Sequence, residues 1–157
     1  MWFNTLLAFI STLCFAFLFN VRGKYLYYAG GGGALAWLFY ELGLLYSGST
    51  IIGMFAGASM AAIYAEAVAR VLRIPTTIIV ISAIIPMVPG GGLYYTMVAS
   101  IEGEFDLFMH KGTNAILEAG TIAISIVLVS SVFRIFTQYR LKRLEKKMKK
   151  KNAALRK

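Results

Sequence analysis

Residues 84–96 read IIPMVPGGGLYYT. Two prolines and three glycines stand inside an apolar run that extends from Ile74 to Ser100. Proline lacks an N–H and clashes with the preceding turn, so Pro86 leaves the Ser82 carbonyl without its helical donor, and Pro89 does the same to Ile85. Three glycines then lift the side-chain restriction that would restore the helix. In lipid each unpaired backbone group costs several kcal/mol and has to be answered by protein, water or a ligand. The stretch is therefore read as a spanning helix broken near its middle, with half-helices at about 76–85 and 91–100. The first half presents carbonyls at the break, and the second presents amides with the positive end of its dipole. Broken helices of this kind form substrate sites in secondary transporters. An amino acid would use both poles, whereas a dicarboxylate would use mainly the amide end. Ser82 and Thr96 add hydroxyls one turn to either side. The substrate-binding candidates are Ser82, Pro86, Pro89, Gly90, Gly91, Gly92, Tyr94 and Thr96; Tyr95 is the alternative to Tyr94. A proline kink filled by neighbouring side chains is the competing account.

The rest of the chain supplies the membrane. Of 157 residues, 59% are hydrophobic and 15% charged, and the mean hydropathy is +0.70. That leaves too little polar surface to coat a globule of this size. A spanning helix needs roughly 20 apolar residues. Five candidate spans fit, at about 1–19, 25–46, 51–69, 74–100 and 113–136. The expected fold is an all-α integral membrane protein whose fourth helix is broken at the Pro-Gly motif.

Charge sets the expected orientation. Arg22 and Lys24 follow the first span, Arg70 and Arg73 follow the third, and the end of the chain is basic. The loop after the second span, YSGST, is uncharged, and the one after the fourth, EGEFDLFMHKG, is acidic with one lysine. Positive charge alternates with each crossing, which predicts the N-terminus outside and the C-terminus in the cytoplasm. The first span lacks a basic start and a small-residue cleavage site, so it is read as a retained anchor. Eleven of the sixteen basic residues lie between Arg134 and Lys157, so the net charge of +9 belongs to a tail. The expected division is a transmembrane domain, 1–137, and a basic cytoplasmic tail, 138–157. Such a tail suits anionic lipid better than nucleic acid. Leu141, Leu144 and Met148 would give it a weak apolar stripe.

In the third span Gly53, Gly57, Ala61, Ala65 and Ala69 recur every fourth residue. Small residues allow close helix approach in lipid, either within one bundle or at a subunit interface. The run Gly30-Gly31-Gly32-Gly33 lacks the Lys-Ser/Thr ending of a phosphate loop and is read as a tight crossing or a bend.

Ionisable residues inside spans are costly and mark function. Glu41 and Glu118, toward the outer ends of the second and fifth spans, are the coupling candidates, because a carboxylate drawn out of water favours its protonated form. Glu66 stands four residues before Arg70, the spacing of a helical ion pair. His110 is read as an exposed loop histidine. Cys14 is the only cysteine, and no metal-ligand spacing, cofactor fingerprint or catalytic constellation is expected.

PMVPGGGLYYTM at 86–97, preceded by RIP at 73–75 and an apolar half-span, resembles the core motif of the threonine/serine exporter family. FNV at 19–21 adds to the resemblance. The length and span count resemble the small subunit of the split, two-gene form, which corresponds to the C-terminal half of fused members. The resemblance implies a larger membrane subunit as partner. It also implies an inner-membrane location and outward transport of threonine, serine or a related small amino acid, coupled to protons or to the membrane potential. Some split forms are associated with dicarboxylates such as succinate. VRGKYLYYAGGGG at 21–33 is more basic and glycine-rich than the family pattern. A non-transporting scaffold, assembling a partner through the stripe of the third span, is the reading from another class.

Overall fold

The computed structural model describes the backbone of residues 2–154 and the side chains of 2–139 and Lys142. It is helical, with no strand among the described residues. The order is α1 (Trp2–Leu18), α2 (Lys24–Ser47), α3 (Thr50–Leu72), α4 (Thr76–Ile84), a 3-10 turn (Ile85–Met87), α5 (Gly90–Glu102) and α6 (Phe105–Ala154). This is the expected all-α membrane fold with its broken fourth segment. By length and composition α3 and residues Phe105–Tyr139 of α6 are each sufficient to cross a membrane, and the bent pair Thr76–Met87 and Gly90–Glu102 is sufficient for a third if taken as one span. The apolar α1 is shorter, and α2 carries Lys24, Glu41 and five glycines along its 24 residues.

The turns follow from local chemistry. Gly48 and Gly103 close α2 and α5 at φ 67° and 74°, a backbone region that suits glycine. Arg73 closes α3 at φ 55°, and Pro75 two residues on prevents the helix from resuming. The acidic loop is shorter than expected. Only Gly103 and Glu104 separate α5 from α6, so His110 and Lys111 are helical rather than in a loop. Asp106 in the first turn of α6 favours this early start. At its other end α6 runs unbroken past residue 137, while the stripe of Leu141, Leu144 and Met148 lies outside the described side chains.

The Gly30–Gly33 run of α2 seats three helices. A Cβ on Gly30 would come within 2.9 Å of the Phe9 ring and 2.8 Å of Leu13, and one on Gly33 would strike Thr12, so α1 lies against these two. Gly31 and Gly32 face Tyr64 of α3, and Gly32 also faces Ala83 of α4. The small-residue stripe of α3 is used in the same way. All five members are buried. A Cβ on Gly53 would lie 2.9 Å from the Tyr40 carbonyl oxygen, and one on Gly57 would lie 2.6 Å from that of Ala36. Of the two readings of this stripe, packing within one bundle is the one observed.

Candidate functional site: the broken span and the carboxylates near it

The break lies at Val88–Pro89. Val88 has ψ 131° and Pro89 has ψ 53°, both outside the helical range. A residue before proline is driven to extended backbone, which puts the discontinuity here. The glycines do not prolong it. Gly90, Gly91 and Gly92 form the first turn of α5, with Pro89 as its N-cap. The Ile85 carbonyl is not left open either: the Val88 amide donates to it at 3.1 Å. The Leu93 amide donates to Pro89 at 3.1 Å, and the Gly90 amide donates to Val88 at 2.7 Å. The amides of Gly91 and Gly92 therefore begin α5 without an intrahelical acceptor. The two segments differ in direction by 52°.

The bend separates the environments of the two halves. α4 packs against α1, α2 and α3, whereas α5 packs against α6 and no other described helix. Met87 closes the 3-10 turn fully buried, in a cluster with Ala36, Met54, Ala58, Ala61, Ala83 and Ile122. Its sulfur and methyl occupy the space that a side chain on Gly57 would need. Past the bend, Gly92 faces Ala115, and Thr96 faces Gly112. Gly90 and Gly91 are exposed, and a Cβ on either would meet nothing within 4 Å.

The expected site residues divide accordingly. Ser82 is buried in the bundle and donates to the Ile78 carbonyl at 3.1 Å; Thr96, on the α6 side, donates to Gly92 at 2.7 Å. Both hydroxyls therefore spend their proton on their own helix. Tyr94 and Tyr95 are exposed and contact each other edge to face. Pro86 is half-buried and Pro89 buried.

Glu41 and Glu118 both lie near Tyr40. Glu41 Oε1 accepts from Asn4 Nδ2 at 2.9 Å and from Trp37 Nε1 at 3.1 Å. Trp37 and Tyr40 stack at 5.2 Å and pack on the cluster that contains Met87. Tyr40 is within electrostatic reach of both Glu118 and Glu41. Glu118 stands one helical turn along α6 from Ala115, which touches Gly92. Asn4, Trp37 and Tyr40 were not singled out in the sequence. The Trp37–Glu41 pair has i,i+4 spacing, a legible signal, whereas Asn4 joins only through folding. Glu66 and Arg70 form the expected ion pair at 3.5 Å, and Arg70 also donates to the Phe133 carbonyl at 3.1 Å, tying α3 to α6. Cys14 is exposed. No group of His, Cys, Asp and Glu suited to a metal ion occurs among the described residues.

Apolar helices, a span broken at Pro89 and carboxylates within apolar helices define a multi-pass α-helical membrane protein of transporter type. The chain belongs to the threonine/serine exporter family: the family model described as "Threonine/Serine exporter, ThrE" matches residues 4–132. That match takes in all the elements around the break and stops within α6. Comparison with curated proteins and with solved structures gave no match.

Proposed function

We propose that this chain is the smaller of two subunits of a secondary exporter for threonine, serine or a related small amino acid, coupled to protons or to the membrane potential. The observation that carries the reading is the break at Val88–Pro89 in a chain of this family, with amides at the start of α5 and Glu118 one turn beyond its contact on α6. Gly91 and Gly92 offer main-chain amides to a carboxylate, with Gly90 leading into them and Pro86 and Pro89 holding the bend. Ser82, Tyr94 and Thr96 flank the site, and Glu41 and Glu118 serve coupling.

The partner reading draws support from α5. Its open glycines and exposed Leu93, Met97 and Ile101 face no helix of this chain other than α6. Irregular backbone is tolerated at membrane depth where protein or a water-filled cavity covers it. A larger subunit would provide that cover. The scaffold alternative loses its motivating feature, because the stripe on α3 is already filled by α2 and Met87. Export of a dicarboxylate remains the second reading, favoured by the amide end of α5. The proposed location is a bacterial inner membrane, with residues 138–157 in the cytoplasm.

Two experiments test this. Affinity purification from native membranes in mild detergent is expected to recover one larger multispan protein in fixed ratio; recovery of this chain alone counts against a two-subunit exporter. Gly91→Leu is expected to insert normally and to abolish efflux of L-threonine, because the added side chain covers the amides. Normal efflux from that variant removes the motif from the mechanism. Succinate in place of L-threonine in the same assay decides between the substrate classes.

A further inference from the structure

Where α3 begins, its first turn and α6 border a cavity of about 210 Å³ lined by Ser49, Thr50, Ile51, Asn114, Leu117 and Glu118. None of residues 86–92 lines it, so it is distinct from the break. Glu118 is half-buried and, among the described residues, makes no ion pair or hydrogen bond. A carboxylate partly withdrawn from water without a cation is costly unless a proton or a cationic ligand joins it. The groups facing it do not neutralise it. α2 contributes Tyr40 and Glu41, and α3 contributes only the neutral Ser49 and Thr50. α5 contributes none of the lining residues. On α6 itself Lys111 is seven residues away, with its ammonium 6.0 Å from the Tyr95 ring.

We infer that this cavity is a second station for the exported molecule, and that it takes a small zwitterion by its ammonium group. The ammonium lies on Glu118, and the polar remainder lies toward the hydroxyls of Ser49 and Thr50 and the amide of Asn114. Ile51 and Leu117 supply a short apolar wall, which suits a side chain of one or two carbons. A dicarboxylate is repelled by Glu118, so the station selects against it. The inference rests on the amino-acid reading of the exporter. Glu118 meets no cation of this chain among the described residues, so the substrate ammonium is the positive charge this station receives, and Glu118 is bound to substrate at this station before release.

The test is binding of radiolabelled L-threonine to the full chain, purified with whatever subunit accompanies it. Glu118→Gln is expected to bind at this station about tenfold more weakly or worse. Asn114→Ala is expected to bind there several-fold more weakly. Glu118→Gln with wild-type affinity overturns the inference. If that variant fails to insert, Asn114→Ala decides, and wild-type affinity there also overturns it. Wild-type protein that binds succinate but not L-threonine refutes the amino-acid reading itself. Normal L-threonine binding by Glu118→Gln refutes only the second station.

Discussion

Gly57 and Gly91 both lie on helices, yet they meet opposite surroundings. A Cβ on Gly57 would press on the Ala36 carbonyl at 2.6 Å, and backbone cannot move aside as a side-chain tip can. Gly57→Ala is therefore expected to destabilise the bundle by about 1–3 kcal/mol, read as a lower unfolding temperature in detergent. Gly91 has nothing within 4 Å. Gly91→Ala in the first turn of α5 is expected to leave stability unchanged or raised by up to about 1 kcal/mol. Equal losses of stability in the two variants would contradict this packing. The sequence shows both glycines but not this difference. Spacing marked Gly57 as part of a stripe, whereas only the packed neighbours show that the stripe is filled by α2 and Met87.

At the scale of the element, the broken helix owes its shape to Pro89 more than to its glycines. Val88 is forced extended by the following proline, and the chain re-enters a helix at once at Gly90. Substitution of both Pro86 and Pro89 by Ala is expected to let α4 run into α5. Efflux should then fail while membrane insertion persists, and hydrogen exchange at Val88 and Gly91 should slow. Retained efflux would show that the bend is dispensable. A second elementary contact lies at the other end of α3. The Arg70 guanidinium reaches the Phe133 carbonyl and sits 5.0 Å from that residue's ring. Arg70→Ala, being partly exposed, is expected to cost about 1 kcal/mol or less and to loosen the α3–α6 contact, read as faster hydrogen exchange near Phe133. The position of Arg70 on the helix was legible from the i,i+4 pattern with Glu66, but its reach to residue 133 was not.

At the scale of the whole molecule, α5 and the start of α6 form a hairpin in which α5 packs on no other described helix. The hairpin carries exposed Ile101 and Phe105 beside Glu102, Glu104 and Asp106. It supplies the most direct test of the proposed orientation. After replacement of Cys14 by Ser, a cysteine at His110 is expected to react with a membrane-impermeant maleimide from outside, and one at Lys142 only after the membrane is opened. The reverse pattern would invert the topology. If a larger subunit covers the hairpin, its co-expression should protect the cysteine at 110.

The sequence by itself determined the class of the protein, the order of its helices and the place of the break, although α6 begins at Phe105 rather than near residue 113. These depend on local causes: apolar length, glycine and proline chemistry, and the distribution of Arg and Lys along the chain. It also marked Glu41 and Glu118 separately, because an ionisable residue within an apolar run is conspicuous without any knowledge of its neighbours. Only the tertiary structure decided that Trp37 and Asn4 bond Glu41, that Glu118 faces a cavity at the start of α3, and that Ser82 is buried in the bundle while Thr96 packs on α6. Those relations join residues far apart in the chain, and they depend on how closely glycine-bearing helices approach. A one-dimensional pattern does not encode that distance, whereas packed side chains fix it.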